Sequence, residues 1–495
     1  MGGDSKYDLT PKLAQFLDSH LLLIVMNGLE KKEVYPAEVI KPEIIEVLRS
    51  RTDLVSILQD KDPNNNYNDE LRASADKVEA QKRELAPLLS KLESKGIGAV
   101  ENPETGELQS ADSSSSSSLH EQLMNVNGFQ GLADLGLSKD HLDGYYTWCL
   151  SLYNIGLYDQ SIENLAVYEK LYTKVMAKEL EILQAQLPPG DPVYVQEKKN
   201  FNARLLSVKW GMLAGYIATE CKDAEAAAQI LALDEFLEEP GSGLSKKAIL
   251  IQRTWLQHWM LFVLFRDGDL ESAHSQIQRV MELFLSEKYL ALISLMCPHM
   301  LRYAAAVFLL NKKLKPMLKD LIHVLNQDKQ NYADPLTEFL LALHQDLDFE
   351  TAKKKLDELQ IACNNDYFLW GDNLTVILAN ARLAIFSIYC RIHQSVDIST
   401  IADKMSMPAE MAEQWIVELI QTGKLSGACI DSDANGTSSV FFPKEETEIY
   451  QQVLEKTQNM AFRLRLLQVN AEGIKDKNAL KKVTQVSGKL AAHLG

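Results

Sequence analysis

The sequence predicts a mainly α-helical protein: a helical-repeat solenoid, then a winged helix, then a C-terminal helical tail. Three observations predict this architecture. Apolar residues recur at helical spacing over most of the 495 residues. A degenerate helix-hairpin pattern returns several times between residues 140 and 390. A pattern of one strand, two helices and two further strands follows it and ends near Phe442.

Residues 1–95 are predicted to form an N-terminal helical region. Leu13, Leu17 and Leu21 fall on one face of a helix. From Glu70 to Lys95, charged residues alternate with apolar ones, which is typical of a long exposed or coiled helix.

Residues 96–139 are predicted to be a flexible linker. Glycines, Pro103, acidic residues and the run Ser113–Ser118 leave little apolar surface to bury. The serine run fits two interpretations, an unmodified spacer or a phosphorylation site, and composition favours the spacer.

Residues 140–390 are predicted to be TPR- or HEAT-like helical repeats. Each instance of the pattern has a tight turn, then a helix that starts with a small residue where it crosses the preceding helix. The irregular spacing predicts a degenerate solenoid rather than a regular array. The four instances are Leu157–Ser161, Asp223–Ala227, Asp269–Ala273 and Asp348–Ala352.

Residues 391–444 are predicted to form the winged helix. Ser399 and Pro408 are typical helix starts, and Gly423 is a typical helix end. Asp433–Gly436 is a turn sequence between two strand-like runs. The predicted elements are a strand at Asp397–Ile398, helices at Thr400–Met405 and Pro408–Thr422, and strands at Ala428–Ile430 and Val440–Phe442.

The second helix of this module has the wrong charge for a duplex reader. A winged helix that reads a DNA groove presents basic or amide side chains from this helix. Here it contains Glu410, Glu413 and Glu418 and no Lys or Arg, so phosphates would repel it. The module is therefore predicted to hold proteins together rather than to read nucleic acid. A free-standing nucleic-acid binder is the weaker hypothesis.

Residues 445–495 are predicted to be a C-terminal helix and tail. Their apolar residues lie three to four positions apart, and a lone helix cannot bury such a stripe without a partner. Two interpretations fit: a strand of an intermolecular helical bundle, which we favour, or packing back on the chain's own repeats. The stripe consists of Ile449, Val453, Met460, Leu464, Leu467, Leu480, Val483 and Leu490.

Composition and motifs exclude several classes of protein. A net charge of −17 argues against a protein that coats nucleic acid, and six scattered cysteines without a C-x-x-C pair suit a reducing compartment. No signal peptide or membrane span is visible, so a cytoplasmic location is expected, with a nuclear fraction as an alternative. No phosphate-binding loop, zinc-protease motif or serine elbow is present, so no enzyme activity, cofactor or metal is predicted.

Three groups of residues imitate functional sites. Cys390-x-x-His393 and Cys297-Pro298-His299 are interpreted as packed core residues, because each would need further metal ligands. The stripe Trp255, Trp259, Phe262 and Val263 is interpreted as core rather than as a base-stacking platform.

Two basic clusters are the candidate contacts of the repeat body. They could touch RNA phosphates or an acidic neighbour, although such runs are usually solvated faces. The clusters are Lys312, Lys313, Lys315 and Lys319, and Lys353, Lys354 and Lys355.

Helical repeats that run into a winged helix and a terminal helix resemble the PCI family, which is found in the proteasome lid, the COP9 signalosome and an initiation factor. Short runs in order along the chain resemble, within it, the e-subunit family of eukaryotic translation initiation factor three. These runs include Tyr7–Thr10, Phe16–Leu21, Gln252–Trp259, Met296–Tyr303, Asp334–Phe339, Asn380–Leu383, Cys390–Gln394, Ala402–Met405, Trp415–Val417 and Tyr450–Val453.

This resemblance implies a non-catalytic scaffold in a hetero-oligomer. Its partners would be other PCI and MPN subunits of the initiation factor and the small ribosomal subunit, with direct mRNA or rRNA contact as an open alternative and no membrane contact. It implies support for preinitiation-complex assembly, mRNA recruitment and scanning. It assigns edge-strand pairing to Ser439, Val440, Phe441 and Phe442, and bundling to the helix from Glu445 onward. A lid or signalosome subunit is the alternative within the same fold.

Overall fold

The computed structural model describes most of the chain as two compact units, residues 1–387 and 388–495. The residues described are 7–62, 67–92, 129–130, 137–186, 191–219, 223–239, 243–266, 275–393, 395–404, 409–421, 429–432, 438–441 and 449–475.

Six α-helices lie in the described residues between 7 and 92, at the start of the first unit. Asp18 caps the second helix, because its carboxylate accepts from the backbone N–H of His20 at 3.2 Å. Leu13, Leu17 and Leu21 are buried, but the prediction that they share one helix is wrong, because the first helix ends at Leu13, Leu17 is extended and the second helix starts at Ser19. The helices are α1 (Thr10–Leu13), α2 (Ser19–Lys31), α3 (Ala37–Arg51), α4 (Val55–Lys61), α5 (Asn68–Glu84) and α6 (Ala86–Leu92).

The prediction of one long exposed helix after Glu70 is half right. No residue of α5 is buried. The helix is interrupted at Leu85, and Leu85, Leu88 and Leu89 are buried in the unit. These three leucines are close together in the sequence, whereas the charged residues of α5 are spread evenly along it.

In the described residues that follow, the first unit has twelve helices, with short 3₁₀ and π turns between some of them. The boundary between the two units falls inside the last of these helices. They are α7 (Lys139–Ile155), α8 (Tyr158–Gln186), α9 (Pro192–Ala218), α10 (Asp223–Glu238), α11 (Lys246–Leu264), α12 (Ser275–Phe284), α13 (Glu287–Met296), α14 (Leu301–Leu310), α15 (Leu318–Gln327), α16 (Pro335–Leu341), α17 (Phe349–Asn364) and α18 (Asp372–Ile392).

The recurring hairpin pattern marks helix starts as predicted in three of its four instances. It opens α8, α10 and α17, and its small residues Ser161, Ala227 and Ala352 are almost fully buried. Ser161 also donates to the carbonyl oxygen of Cys149 at 2.9 Å, across the α7–α8 crossing. The fourth instance, Asp269–Ala273, lies outside the described residues.

Two glycines fit the helix hairpins closely. Gly156 ends α7 with a φ of 95°, a left-handed conformation that favours glycine. A Cβ on Gly215 of α9 would lie 2.6 Å from the side chain of Ile162 on α8, so that side chain or one of the two helices would have to shift to admit it.

The N-terminal helices pack against the middle of the first unit. The indole Nε1 of Trp259 donates to the carbonyl oxygen of Phe16 at 3.0 Å, and the Phe16 ring stacks on His258 at 4.1 Å. The hydroxyl of Tyr153 donates to Asp18 at 2.9 Å. Residues 10–31 are therefore part of the core formed with α7 and α11.

A buried ion network joins three distant segments. Arg302 is 1% exposed and donates to Asp334 at 3.0 Å and to Asp366 at 3.1 Å. Tyr303 donates to the same Asp366 oxygen at 2.8 Å. Because buried charges are stable only when paired, this network fixes α14, the start of α16 and the turn before α18 together.

The second unit contains a three-stranded antiparallel sheet with two helices. The strands are β1 (Ser395–Asp397), β2 (Cys429–Ser432) and β3 (Ser438–Phe441), and the sheet order is β1-β3-β2. Val440 lies opposite Val396 on one side and Ile430 on the other. The helices between β1 and β2 are α19 (Ile398–Lys404) and α20 (Ala409–Gln421), which gives the winged-helix element order that the sequence predicts.

Two details of the predicted winged helix are wrong. The first strand starts at Ser395, and the helix after it starts at Ile398 rather than Thr400. On α20, Ala412 and Ile416 are buried while Met411 is 56% exposed.

The prediction that Ser439 to Phe442 form an open edge is also wrong. β3 is the central strand and pairs with β1 and β2, so its main-chain groups are used inside the sheet. Phe442 lies outside the described residues. Among the strands that the structure describes, the outer ones are β1 and β2.

One long helix, α21 (Ile449–Lys475), closes the described part of the second unit. Its 27 residues span about 40 Å at 1.5 Å per residue. In the parts of the chain described above, no helix has both the length and the apolar character needed to cross a membrane.

Candidate subunit interface

The outer side of α20 is acidic. Ala412, Ile416 and Leu419 are buried and hold the helix on its unit. A shallow depression on the opposite side is lined by Glu413, Gln414, Val417, Glu418 and Gln421. Since α20 contains no Lys or Arg, this surface would repel a nucleic-acid backbone.

The outer strands of the sheet are short. β1 has three residues and β2 has four, and each pairs with β3 on one side only among the described strands. Val396 and Val440 are buried, so one face of the sheet is covered. A strand from another chain would therefore have to pair beside β1 or β2, where backbone groups face outward.

The stripe on α21 is exposed as predicted. Val453 is 56%, Met460 60%, Leu464 67% and Leu467 66% exposed. Positions 453, 460 and 467 are spaced by seven, with 464 four after 460, which is the spacing of a helix that packs along a partner helix. This is the largest group of exposed apolar side chains on one described helix.

Sequence reasoning missed two members of this surface. Leu454 is 59% and Phe462 38% exposed, although neither lies on the predicted stripe. The sequence could have indicated both residues, because α21 carries apolar residues around much of its circumference. Of the other predicted stripe residues, the side chain of Ile449 and all of Leu480, Val483 and Leu490 lie outside the described residues.

In the second basic cluster, one lysine already forms ion pairs within the chain. Lys355 contacts Glu338 and Glu358, each at 2.8 Å, and hydrogen bonds to these two carboxylates raise the pKa of Lys355. Lys354 is exposed and Lys353 is half-buried. In the first cluster Lys319 is exposed, while the side chains of Lys312, Lys313 and Lys315 are outside the described set. Among the described residues, the two lysine clusters do not meet in a common contact surface.

Cys149, Cys297, His258 and His299 are buried in the core of the first unit. Burial raises the pKa of Cys149 and of Cys297 to about 12, so both thiols are protonated at neutral pH. His258 and His299 meet at 3.0 Å between their Nε2 atoms. In the described parts of the chain, no group of His, Cys, Asp and Glu has the arrangement of a metal site.

The core interpretation holds for Cys297 and His299 but fails for His393, which is exposed. The side chain of Cys390 is not among those described. The core interpretation of the aromatic stripe is confirmed for Trp259, Phe262 and Val263, and Trp255 is half-buried.

Comparison with known proteins gives two family matches. Residues 348–435 match the PCI domain family, which covers the end of the repeat body and most of the winged helix. Residues 8–129 match the family described as eIF3 subunit 6 N terminal domain.

Curated relatives match nearly the whole chain. A protein of Culex quinquefasciatus, named as the E subunit of eukaryotic translation initiation factor 3, is 32% identical over 493 residues, covering 98% of each chain. The protein of the same name from Anopheles gambiae is 33% identical over 477 residues, covering 94% of this chain and 96% of its own.

Proposed function

Because the chain belongs to the E-subunit family of eukaryotic translation initiation factor 3, we propose that it is a non-catalytic scaffold subunit of that multisubunit initiation factor. The N-terminal match favours this function over a proteasome-lid or signalosome subunit, because a PCI domain alone would fit all three complexes. In this role the protein would support preinitiation-complex assembly on the small ribosomal subunit, mRNA recruitment and scanning in the cytoplasm.

The exposed stripe of α21 carries this proposal. Each of its four most exposed leucine, methionine and valine side chains leaves more than half of its surface in water. Burying such side chains is worth about 1.5–3 kcal/mol each, so a helical partner along the stripe would gain considerable free energy. We assign this surface to a bundle with helices of sister PCI or MPN subunits.

The outer strands would add a second contact. Backbone pairing beside β1 or β2 gives affinity with little demand on sequence, while neighbouring side chains select the partner. Ser439, Val440 and Phe441 would then contribute by holding both outer strands in register rather than by pairing with a partner themselves.

Contact with RNA would be local. The outer side of α20 is acidic, so the winged helix is not the RNA-binding element in this proposal. Lys319 and Lys354 are the exposed described members of the basic clusters, and either could meet ribosomal RNA or an acidic neighbouring subunit.

One pair of variants tests the stripe. Leu464→Lys places a charge on the stripe, whereas Gln458→Lys places the same charge at an exposed polar position of α21. We expect Leu464→Lys to reduce co-purification with the initiation factor complex by about tenfold or more, corresponding to about 1.4 kcal/mol. Gln458→Lys should have little effect.

The far-ultraviolet circular dichroism spectra of the two variants should match that of the parent, since both sites are exposed. Equal recovery of Leu464→Lys and parent chains in the purified complex would refute the role of the stripe. Recovery of the parent with proteasome-lid or signalosome subunits, and not with initiation-factor subunits, would refute the proposed function itself.

A further inference from the structure

Leu347 holds a backbone conformation that disfavours a leucine. Helix α16 continues into a wider π turn, Ala342–Asp346, and the chain reverses at Leu347 with a φ of 52° and a ψ of 30°. The backbone N–H of Asp348 closes this helix end by donating to the carbonyl oxygen of Ala342 at 3.0 Å. Helix ends of this kind usually have glycine at the left-handed position, because a Cβ there crowds the following carbonyl group. The fold alone therefore favours glycine or asparagine at position 347.

Burial of the side chain does not explain the leucine, because Leu347 is 49% exposed. Leu295 and Ile361 are more exposed, but both lie in helices, where their backbone has no such conformational cost. Among the described residues other than glycine, only Glu33 shares a positive φ, and its side chain is polar and exposed. Within that set, an unfavourable backbone and an apolar side chain left in water coincide at Leu347 alone.

Acidic groups surround this leucine. Asp346, Asp348 and Glu350 are exposed, so residues 345–351 contain three acidic residues and no basic one. The carboxylate of Asp348 accepts from the hydroxyl of Thr351 at 2.6 Å and from the backbone N–H groups of Thr351 at 3.2 Å and Glu350 at 3.0 Å. These hydrogen bonds lower the pKa of Asp348, and the carboxylate stays charged. The exposed leucine therefore lies in a negative environment.

Asp346 is the carboxylate that remains open beside Leu347. It forms no hydrogen bond or ion pair with any residue that the structure describes. Of the lysines that follow in α17, Lys354 acts on Asp348 through its charge, and Lys355 already pairs with two glutamates. A partner that fits this surface needs an apolar pocket for the leucine and a positive charge for the open carboxylate.

We propose that Asp346 and Leu347 form a docking corner, which a sister subunit of the initiation factor takes up in an apolar pocket with a lysine or arginine at its rim. This contact rests on the proposed scaffold function and extends it to a surface of the first unit. Main-chain hydrogen bonds already fix the turn, so little flexibility is lost on binding. Burial of the exposed half of the leucine by the partner would offset the unfavourable backbone conformation.

The variant Leu347→Gly separates docking from folding. Glycine accepts the left-handed turn, so we expect the thermal midpoint of the isolated chain to rise or to stay within about 1 °C of the parent. Recovery of the variant in the purified initiation factor complex should fall about tenfold. A leucine kept only for packing predicts a lower midpoint and unchanged recovery. Either a midpoint lower by more than about 3 °C or unchanged recovery would overturn the proposal.

The variant Glu33→Gly is the matched backbone control. Glu33 is exposed and has a φ of 55°, close to that of Leu347. Glycine at this position should also keep or raise the thermal midpoint, while recovery in the complex stays at the parental level. The variant Leu347→Met keeps an apolar side chain in the turn and should be recovered within about twofold of the parent.

A charge reversal tests the rim of the pocket. We expect Asp346→Lys to reduce recovery about fivefold at 0.1 M salt and clearly less at 1 M salt, where the Debye length falls to about 3 Å. Asp357→Lys makes the same change of charge at an exposed position of α17 and should have little effect. Equal losses for the two variants, or a loss that does not depend on salt, would contradict a positive group beside Asp346.

A photoreactive benzophenone amino acid at Gln345 identifies the partner in the purified complex, since Gln345 is exposed two positions before Leu347. We expect a crosslink to a sister-subunit peptide that contains a lysine or arginine beside apolar residues. Absence of that crosslink, or crosslinks solely within the chain or between its copies, would overturn the docking corner. Normal assembly of both the parent and Leu347→Gly refutes this contact alone, whereas failure of the parent to assemble refutes the scaffold function as well.

Discussion

The imidazoles of His258 and His299 face each other in the core of the first unit. Nδ1 of His258 lies 2.7 Å from the carbonyl oxygen of Thr254, which can only accept, so this nitrogen carries the hydrogen. The Nε2 atom of His258 is then an acceptor, and Nε2 of His299 donates to it at 3.0 Å. Both rings are neutral in this arrangement, since adding a proton to His258 would place two donors against each other.

Acid should therefore destabilise this core. Burial lowers the pKa of His258 to about 4 and, together with the neighbouring His258, lowers that of His299 to about 3, from an ordinary 6.5. Below pH 6.5 the unfolded chain binds protons that the folded chain does not. We expect the free energy of unfolding to fall by about 2 kcal/mol per imidazole between pH 7 and pH 5, measured by urea titration.

The variant His258→Gln with His299→Gln should flatten this pH dependence, although its stability at pH 7 should be lower. The exposed His393→Gln serves as the control and should keep the parent slope. An unchanged slope in the double variant would show that other groups cause the acid sensitivity.

Single residues illustrate what sequence could and could not predict at this scale. The burial of Cys297 and His299 was predictable from residue type and apolar context. Their partners were not, because His299 meets a residue 41 positions away and Arg302 meets carboxylates 32 and 64 positions away. His393 shows the converse error, since its apolar neighbours suggested burial and the ring is exposed.

Among the elements, the helix hairpins depend on small residues at their crossings. Ala227 of α10 and Ala352 of α17 are fully buried at the positions that the repeated pattern predicts. Because protein interiors are close-packed, added methylenes at such a crossing must displace the neighbouring helix.

We expect Ala227→Leu to destabilise the first unit by about 1–3 kcal/mol, measured as a lower midpoint of urea unfolding. Ala177→Leu is the matched control, because Ala177 is an exposed residue of helix α8. Equal stability of the two variants would mean that Ala227 does not mark a close crossing.

The winged helix shows which features a sequence pattern predicts and which it does not. Spacing and helix-start residues predict its two helices and the β2–β3 hairpin, because these signals are local. The pairing of β1 with β3 joins residues more than forty positions apart, so no local signal shows that β3 is central. A proline at Phe441 would consequently damage the sheet itself, and it cannot serve as a test of docking alone.

For the whole first unit, the N-terminal helices hold distant parts of the chain together. Besides the contacts of Phe16 and Asp18, the ammonium of Lys32 lies 3.9 Å from the ring centre of Trp370. Burial lowers the pKa of Lys32 to about 8, which shows how far this contact is withdrawn from water. Helical periodicity predicts these helices, but it does not predict the contact between Phe16 and Trp259, which are 243 positions apart.

A chain that starts at Ala37 should therefore lose the order of helices far from the deletion. We expect new cleavage sites in α7 and α11 under limited proteolysis, together with a lower thermal midpoint, because Trp259 and Tyr153 lose their partners. A chain lacking Ser113–Ser118 is the control and should match the parent. Persistent resistance of residues 137–266 in the shortened chain would contradict this expectation.

Because β3 is central and is translated last of the three strands, it also determines when the sheet can form during synthesis. Among the described strands, β1 and β2 each join the sheet through β3 alone, and residues 398–437 separate β1 from it. At a translation rate of about 5–20 residues per second, β1 waits about 2–8 s for its neighbour to be made. During that interval β1 has no strand to pair with among those described, and a premature stop before Ser438 would remove both described strand pairs rather than one.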